Sequence, residues 1–124
     1  MLDESLLNKN INARALYPKE RDIIEALLKH QNVLDLFISF LDIVSVADMQ
    51  DGGMGSIQFE PYMSRTYGKE IAGAQYIDAD GTPISIVLNV DKNDVLYELD
   101  FWKVDFSKLI RYPNAEDLNF DDNS

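Results

Sequence analysis

Glu98 and Asp100, two carboxylates at alternate positions, are the residues whose type and spacing come nearest to a reaction. On a strand the two-residue rise sets them about 7 Å apart on one face, which overlaps the acid and base separation of inverting glycoside hydrolysis. Any acidic pair at that spacing reaches the same distance, so it selects no reaction by itself. Trp102 follows at the next position of the same face. An aromatic flanked by carboxylates suits a protein-binding anchor, since large rings carry much of the energy of an interface. Asp105 and Asp51 add acidic contacts. The expected partner-binding set is therefore Glu98, Asp100, Trp102, Asp105 and Asp51, with no catalytic residue.

Other constellations give less. The run Asp51-Gly52-Gly53-Met54-Gly55-Ser56 invites a phosphate-loop reading, but Gln58 stands where a dinucleotide fingerprint needs its third glycine, and no Gly-Lys-Ser/Thr follows. Asp48 and Asp51 would repel a phosphate, so a tight turn is expected. Asp78, Asp80, Asp91 and Asp94 are hard oxygen ligands, yet neither turn spells a calcium loop, and Asx-turn chemistry accounts for them. His30 is the only histidine and there is no cysteine, which argues against zinc. His30 falls near a helix C-terminus, where terminal carbonyls and the helix dipole suit it. A Ser-His-Asp arrangement lacks any nucleophile motif. No metal and no cofactor is expected.

These residues need elements to hold them. Pro18 fits a first helical position, and Ile23, Ile24, Leu27 and Leu28 then recur at helical spacing opposite Arg21, Asp22, Glu25 and Lys29. Asn32 suits the cap of a second helix with Val33, Leu34, Phe37, Ile38 and Leu41 on its apolar face. Alternation then takes over: Ile43, Val44 and Val46, then Ile57 and Phe59, then residues 70–77 read as three strands. The clearest signal is Ile84, Ile86, Leu88 and Val90, answered after a turn by Val95, Tyr97, Leu99 and Phe101. Past Phe101 the apolar phase slips by one to Trp102, Val104 and Phe106. That slip predicts a bulge near Phe101 and Trp102, which would rotate Trp102 into the core. Without rotation, Trp102 stays beside Glu98 and Asp100 as an exposed anchor.

The expected fold is α+β: two N-terminal helices packed on an antiparallel sheet of about five strands in a β-meander. Residues 1–17 read as a flexible lead-in, although Leu2, Leu6, Leu7 and Ile11 fit a short helical stripe. Residues 18–112 read as a single α+β domain. Residues 113–124 read as a partly disordered acidic tail, with Glu116, Asp117, Asp121 and Asp122 and no basic residue.

Composition bounds the function. The 124 residues are 46% hydrophobic and 27% charged, as in a core-forming domain rather than a disordered chain. Eleven basic residues face 22 acidic ones, a net charge of −11 that disfavours nucleic acid as a partner. The absence of cysteine means no oxidising compartment is needed. The opening residues lack a signal peptide's pattern, and residues 33–47 are too short and too interrupted to span a bilayer. A cytoplasmic location without membrane contact is expected.

Two segments carry a resemblance: Asp48-Met49-Gln50-Asp51-Gly52-Gly53-Met54-Gly55-Ser56 and Leu96-Tyr97-Glu98-Leu99-Asp100-Phe101-Trp102-Lys103-Val104-Asp105-Phe106-Ser107. With the turn at residues 78–81, they resemble a family of short bacterial proteins carrying an uncharacterised domain, a domain of unknown function. The resemblance spans residues 18–111. It implies a bacterial source and a compact domain, and brings no activity or site residue with it. The function expected from charge and anchor is a non-catalytic acidic module that binds a protein partner, such as a basic toxin domain neutralised by an immunity protein. An uncharacterised domain with an unknown small partner is the alternative, followed by a carboxylate-dependent hydrolase.

Overall fold

Pro18 occupies the first turn of α1 (Pro18–His30), where a missing N–H leaves no bond unmade. The Tyr17 N–H donates to the Glu20 carboxylate at 2.8 Å, fixing that end. At the other end Asn32 adopts a left-handed φ of 59°, the Asn32 N–H returns to the Lys29 carbonyl and the Val33 N–H to the Leu28 carbonyl. This is a Schellman closure with asparagine in the glycine position. Asn32 therefore ends the first helix instead of capping α2 (Leu34–Ile43), whose N-cap is Val33. Ile43, expected to begin a strand, is the last residue of α2.

The computed structural model describes residues 10–121. Its strands are β1 (Arg14–Ala15), β2 (Ser45–Asp48), β3 (Ile57–Phe59), β4 (Tyr67–Ile77), β5 (Pro83–Asp91), β6 (Leu96–Lys103) and β7 (Asn119–Phe120). They form one antiparallel sheet in the order β1-β2-β3-β6-β5-β4-β7. The fold is α+β as expected, but with seven strands rather than about five. The two additional strands come from the lead-in and the tail, and two residues are too few to show a period. Leu2, Leu6, Leu7 and Asp122 lie outside the described residues. Only β4, β5 and β6 run as a meander, because β6 turns back to pair with β3.

Arg65 holds the long connection between β3 and β4. Its guanidinium donates to the Pro61, Phe59 and Leu96 carbonyls at 2.6, 2.7 and 2.9 Å and to Asp91 at 3.0 Å. The helices cover one face of the sheet: Ile23, Ile24, Leu27 and Leu28 join Ile57, Phe59, Ile86, Leu88 and Leu99 in a single fully buried cluster. The tail is anchored as well, with Phe120 stacked on His30 at 4.4 Å and the Asp121 N–H on the Gly73 carbonyl at 2.9 Å.

No bulge forms at Phe101 and Trp102. The ladder runs unbroken through Ile86↔Phe101, Ser85↔Trp102 and Ile84↔Lys103. The irregularity lies at the far end of β6, where the register shifts between Asn89 and Val90 and both Leu96 and Tyr97 are buried. Beyond Phe101 the sequence pattern inverts without the backbone following it. Trp102 stays outside at 57% exposure, while Lys103 takes the inward position at 1%.

Candidate functional site

The face of the sheet opposite the helices owes its character to β6. Held between β3 and β5, β6 sets Glu98 across from Gln58 and Asn89, Asp100 across from Val87, and Trp102 across from Ser85. The Asn89 amide donates to Asp100 at 2.9 Å and reaches Glu98 at 3.4 Å, so one neutral group bridges both carboxylates. The Tyr62 hydroxyl donates to Glu98 in a short contact, and the Tyr62 ring lies on Tyr97 with centroids 4.6 Å apart. Burial and the Glu98 carboxylate raise the Tyr62 hydroxyl above the ordinary phenol range. Burial, then the charge of Glu98, push Asp100 up to about 6 against the opposing Asn89 hydrogen bond, with Asp51 adding to the rise.

A groove of about 360 Å³ opens where the glycine-rich turn meets the end of β6, and Met49, Met54, Asp51, Asp100, Trp102 and Phe106 are among its lining residues. Asp51 builds the turn: its carboxylate accepts from the N–H groups of Gly53, Met54 and Ser56 at 3.2, 3.1 and 2.9 Å. Ser56 ties the turn to β6, accepting from the Phe101 N–H at 2.9 Å. On the opposite rim the Trp102 and Phe106 rings stand 5.9 Å apart at 37°. Phe106 is 68% exposed and has a φ of 62°, which for a bulky side chain costs on the order of 1 kcal/mol.

Below this rim a buried ion cluster fixes the chain. The Lys103 ammonium donates to Asp78 and Asp80 at 2.8 Å each and to the Lys108 carbonyl at 3.0 Å. Asp78 also accepts from the N–H groups of Ala79, Ile110 and Arg111 at 2.7, 2.9 and 3.0 Å. Burial alone would raise Asp78, but Lys103 and these amides outweigh it and hold the carboxyl at about 2. Lys103 is raised above its ordinary value, its two ion pairs overcoming the opposite pull of burial. The loop aspartates thus combine Asx-turn bonding with ion pairing, as does Asp91 with Arg65.

Of the five expected site residues, Asp51, Asp100 and Trp102 meet at the groove, and Glu98 adjoins them through Asn89. Asp105 does not join them: its carboxylate accepts from the Ser107 N–H and hydroxyl at 3.0 and 2.6 Å in an exposed turn. Asn89, Tyr62 and Phe106 were not anticipated. Asn89 was legible in principle, since an amide on β5 opposite acidic positions of β6 can bridge them. Among the described residues no helix is long and apolar enough to cross a membrane, and no group of three or more histidine or acidic side chains is placed to hold a metal ion.

No curated protein and no solved structure matches the chain. A family model described as "Domain of unknown function (DUF6984)" matches residues 13–113.

Proposed function

Because the chain belongs to the family of this domain of unknown function, whose description carries no activity, we propose its role from its surface: a non-catalytic, acidic module that binds a basic protein. The observation that carries this reading is Trp102, a large aromatic more than half exposed on the sheet face opposite α1 and α2, with Phe106 beside it and Asp100 and Asp51 around the same groove. Exposed indoles rimmed by polar groups are a usual composition of interface anchors. A net charge of −11 would speed encounter with a positively charged partner, and the aromatic rim would set how long the complex lasts. A toxin domain neutralised by an immunity protein is the partner class that best fits both features, and a cytoplasmic setting suits it.

The test is a complex with the basic C-terminal domain of a secreted protein encoded beside this chain's gene, together with protection of cells expressing that domain. Trp102→Ala should weaken the complex by about 2 kcal/mol or more, roughly thirtyfold in Kd. The same change at an exposed site should leave stability within about 0.5 kcal/mol. Absence of both complex and protection would sink the proposal.

Carboxylate-dependent hydrolysis is the second reading, favoured by Asp100, whose raised pKa beside Glu98 resembles an acid and base pair. Against it, Glu98 already receives Tyr62 and both carboxylates share Asn89. Loss of hydrolysis of any substrate found for the protein in both Glu98→Gln and Asp100→Asn would establish this reading, and an unchanged rate would remove it.

A further inference from the structure

Several aspartates of this protein are paired with a basic side chain. Asp78 and Asp80 share Lys103, Asp91 has Arg65, Asp48 has Arg14 and Asp42 has Arg21. The groove beside Trp102 has no such pairing among the described residues. Its lining includes Asp51 and Asp100 and no lysine or arginine. Asp51 is held by backbone N–H groups, and Asp100 by the neutral amide of Asn89. Two carboxylates therefore line an open groove beside two rings, without a positive partner among the described residues.

We propose that this groove receives one arginine side chain of the basic partner, its guanidinium stacked on the Trp102 indole and hydrogen-bonded to Asp100. The proposal rests on the protein-binding reading above and names the group that fills the site. Charge complementarity selects a cation. The exposed indole, with the Phe106 ring 5.9 Å away, selects a flat one, because a guanidinium is planar and weakly hydrated and stacks on aromatic faces while offering its edge to a carboxylate. An ammonium is a strongly hydrated point charge and gains less from the ring. The volume of about 360 Å³ lies at the small end of ligand pockets, suited to a single long side chain.

Trp102 is the only tryptophan, so its emission reports this groove and nothing else. The full chain would be titrated with N-acetyl-arginine methylamide, with its lysine counterpart, and with its citrulline counterpart, which keeps the planar shape without the charge. The arginine compound should change Trp102 emission saturably in the millimolar range, at least fivefold more tightly than the other two, and Asp100→Asn should abolish that preference. Equal response to citrulline, equal or tighter response to lysine, or no response would each overturn the assignment. A basic partner that binds through Trp102 while the arginine compound does nothing refutes the arginine seat and leaves the protein-binding reading intact. Arginine-selective binding in a chain that neither binds nor neutralises the neighbouring toxin domain refutes the toxin-binding reading and leaves the seat intact.

Discussion

Asp100 sits at odds with the stability of its own fold. Its carboxyl is raised to about 6, so the folded state holds the proton more tightly than the unfolded chain, where a carboxyl titrates near its ordinary value of about 4. Its contribution to stability is full below about 4 and is lost as the pH rises through about 6. Asp100→Asn should therefore raise the thermal midpoint at pH 7.5, with the gain fading by pH 4; a midpoint lowered at pH 7.5 would contradict this. Asp78 works in the opposite sense. Held at about 2, it stabilises the fold above about 4 and loses that contribution as the pH falls toward about 2. Lys103→Met would leave Asp78 buried without its cation and should lower the thermal midpoint by more than about 10 °C at pH 7. Thermal melts of both variants from pH 2 to pH 8 check the two signs together.

At the scale of elements, one close approach sets where β4 meets the loop after β5. A Cβ added at Gly68 would fall on the Asp91 carbonyl and within 3.0 Å of the Lys92 amide, both backbone atoms that cannot step aside. Gly68→Ala should cost about 1–3 kcal/mol in chemical denaturation, and an unchanged midpoint would show that the strand can shift there. The long elements were legible in the sequence because each repeats its period. α1 shows four apolar residues at helical spacing, and β5 with β6 shows two alternating runs across a short turn. What stayed hidden had no period to read. β1 and β7 are two residues long, and the return of β6 to β3 is a long-range pairing that Arg65 bridges by donating to the Phe59 and Leu96 carbonyls. Lys103 misled because a charged residue in the buried phase reads as an outward one until its two aspartates, more than twenty residues earlier, are placed beside it. The same inversion hid the orientation of Trp102, so the acidic anchor was legible as a set of residues but not as a surface.

The whole molecule carries twice as many acidic as basic side chains, and its internal ion pairs consume much of the positive charge while the groove lining holds two carboxylates and no basic side chain. Association with a basic partner should then be steered over distance. Raising ionic strength from about 0.02 M to 0.5 M should slow the association rate by about tenfold or more while changing dissociation much less, as stopped-flow mixing would show. A salt-independent association rate would mean that the net charge serves some other purpose.

The borders of the sheet bear on how the protein behaves when concentrated. β7 closes β4 at Ala74 and Gln75, and the remainder of that border carries Lys69, Glu70 and two register shifts. Charges and kinks of this kind keep a strand from templating a neighbour. A chain cut after residue 112 would lose β7 and leave the backbone groups of β4 at Ala74 and Gln75 unpaired, an edge on which another strand can dock.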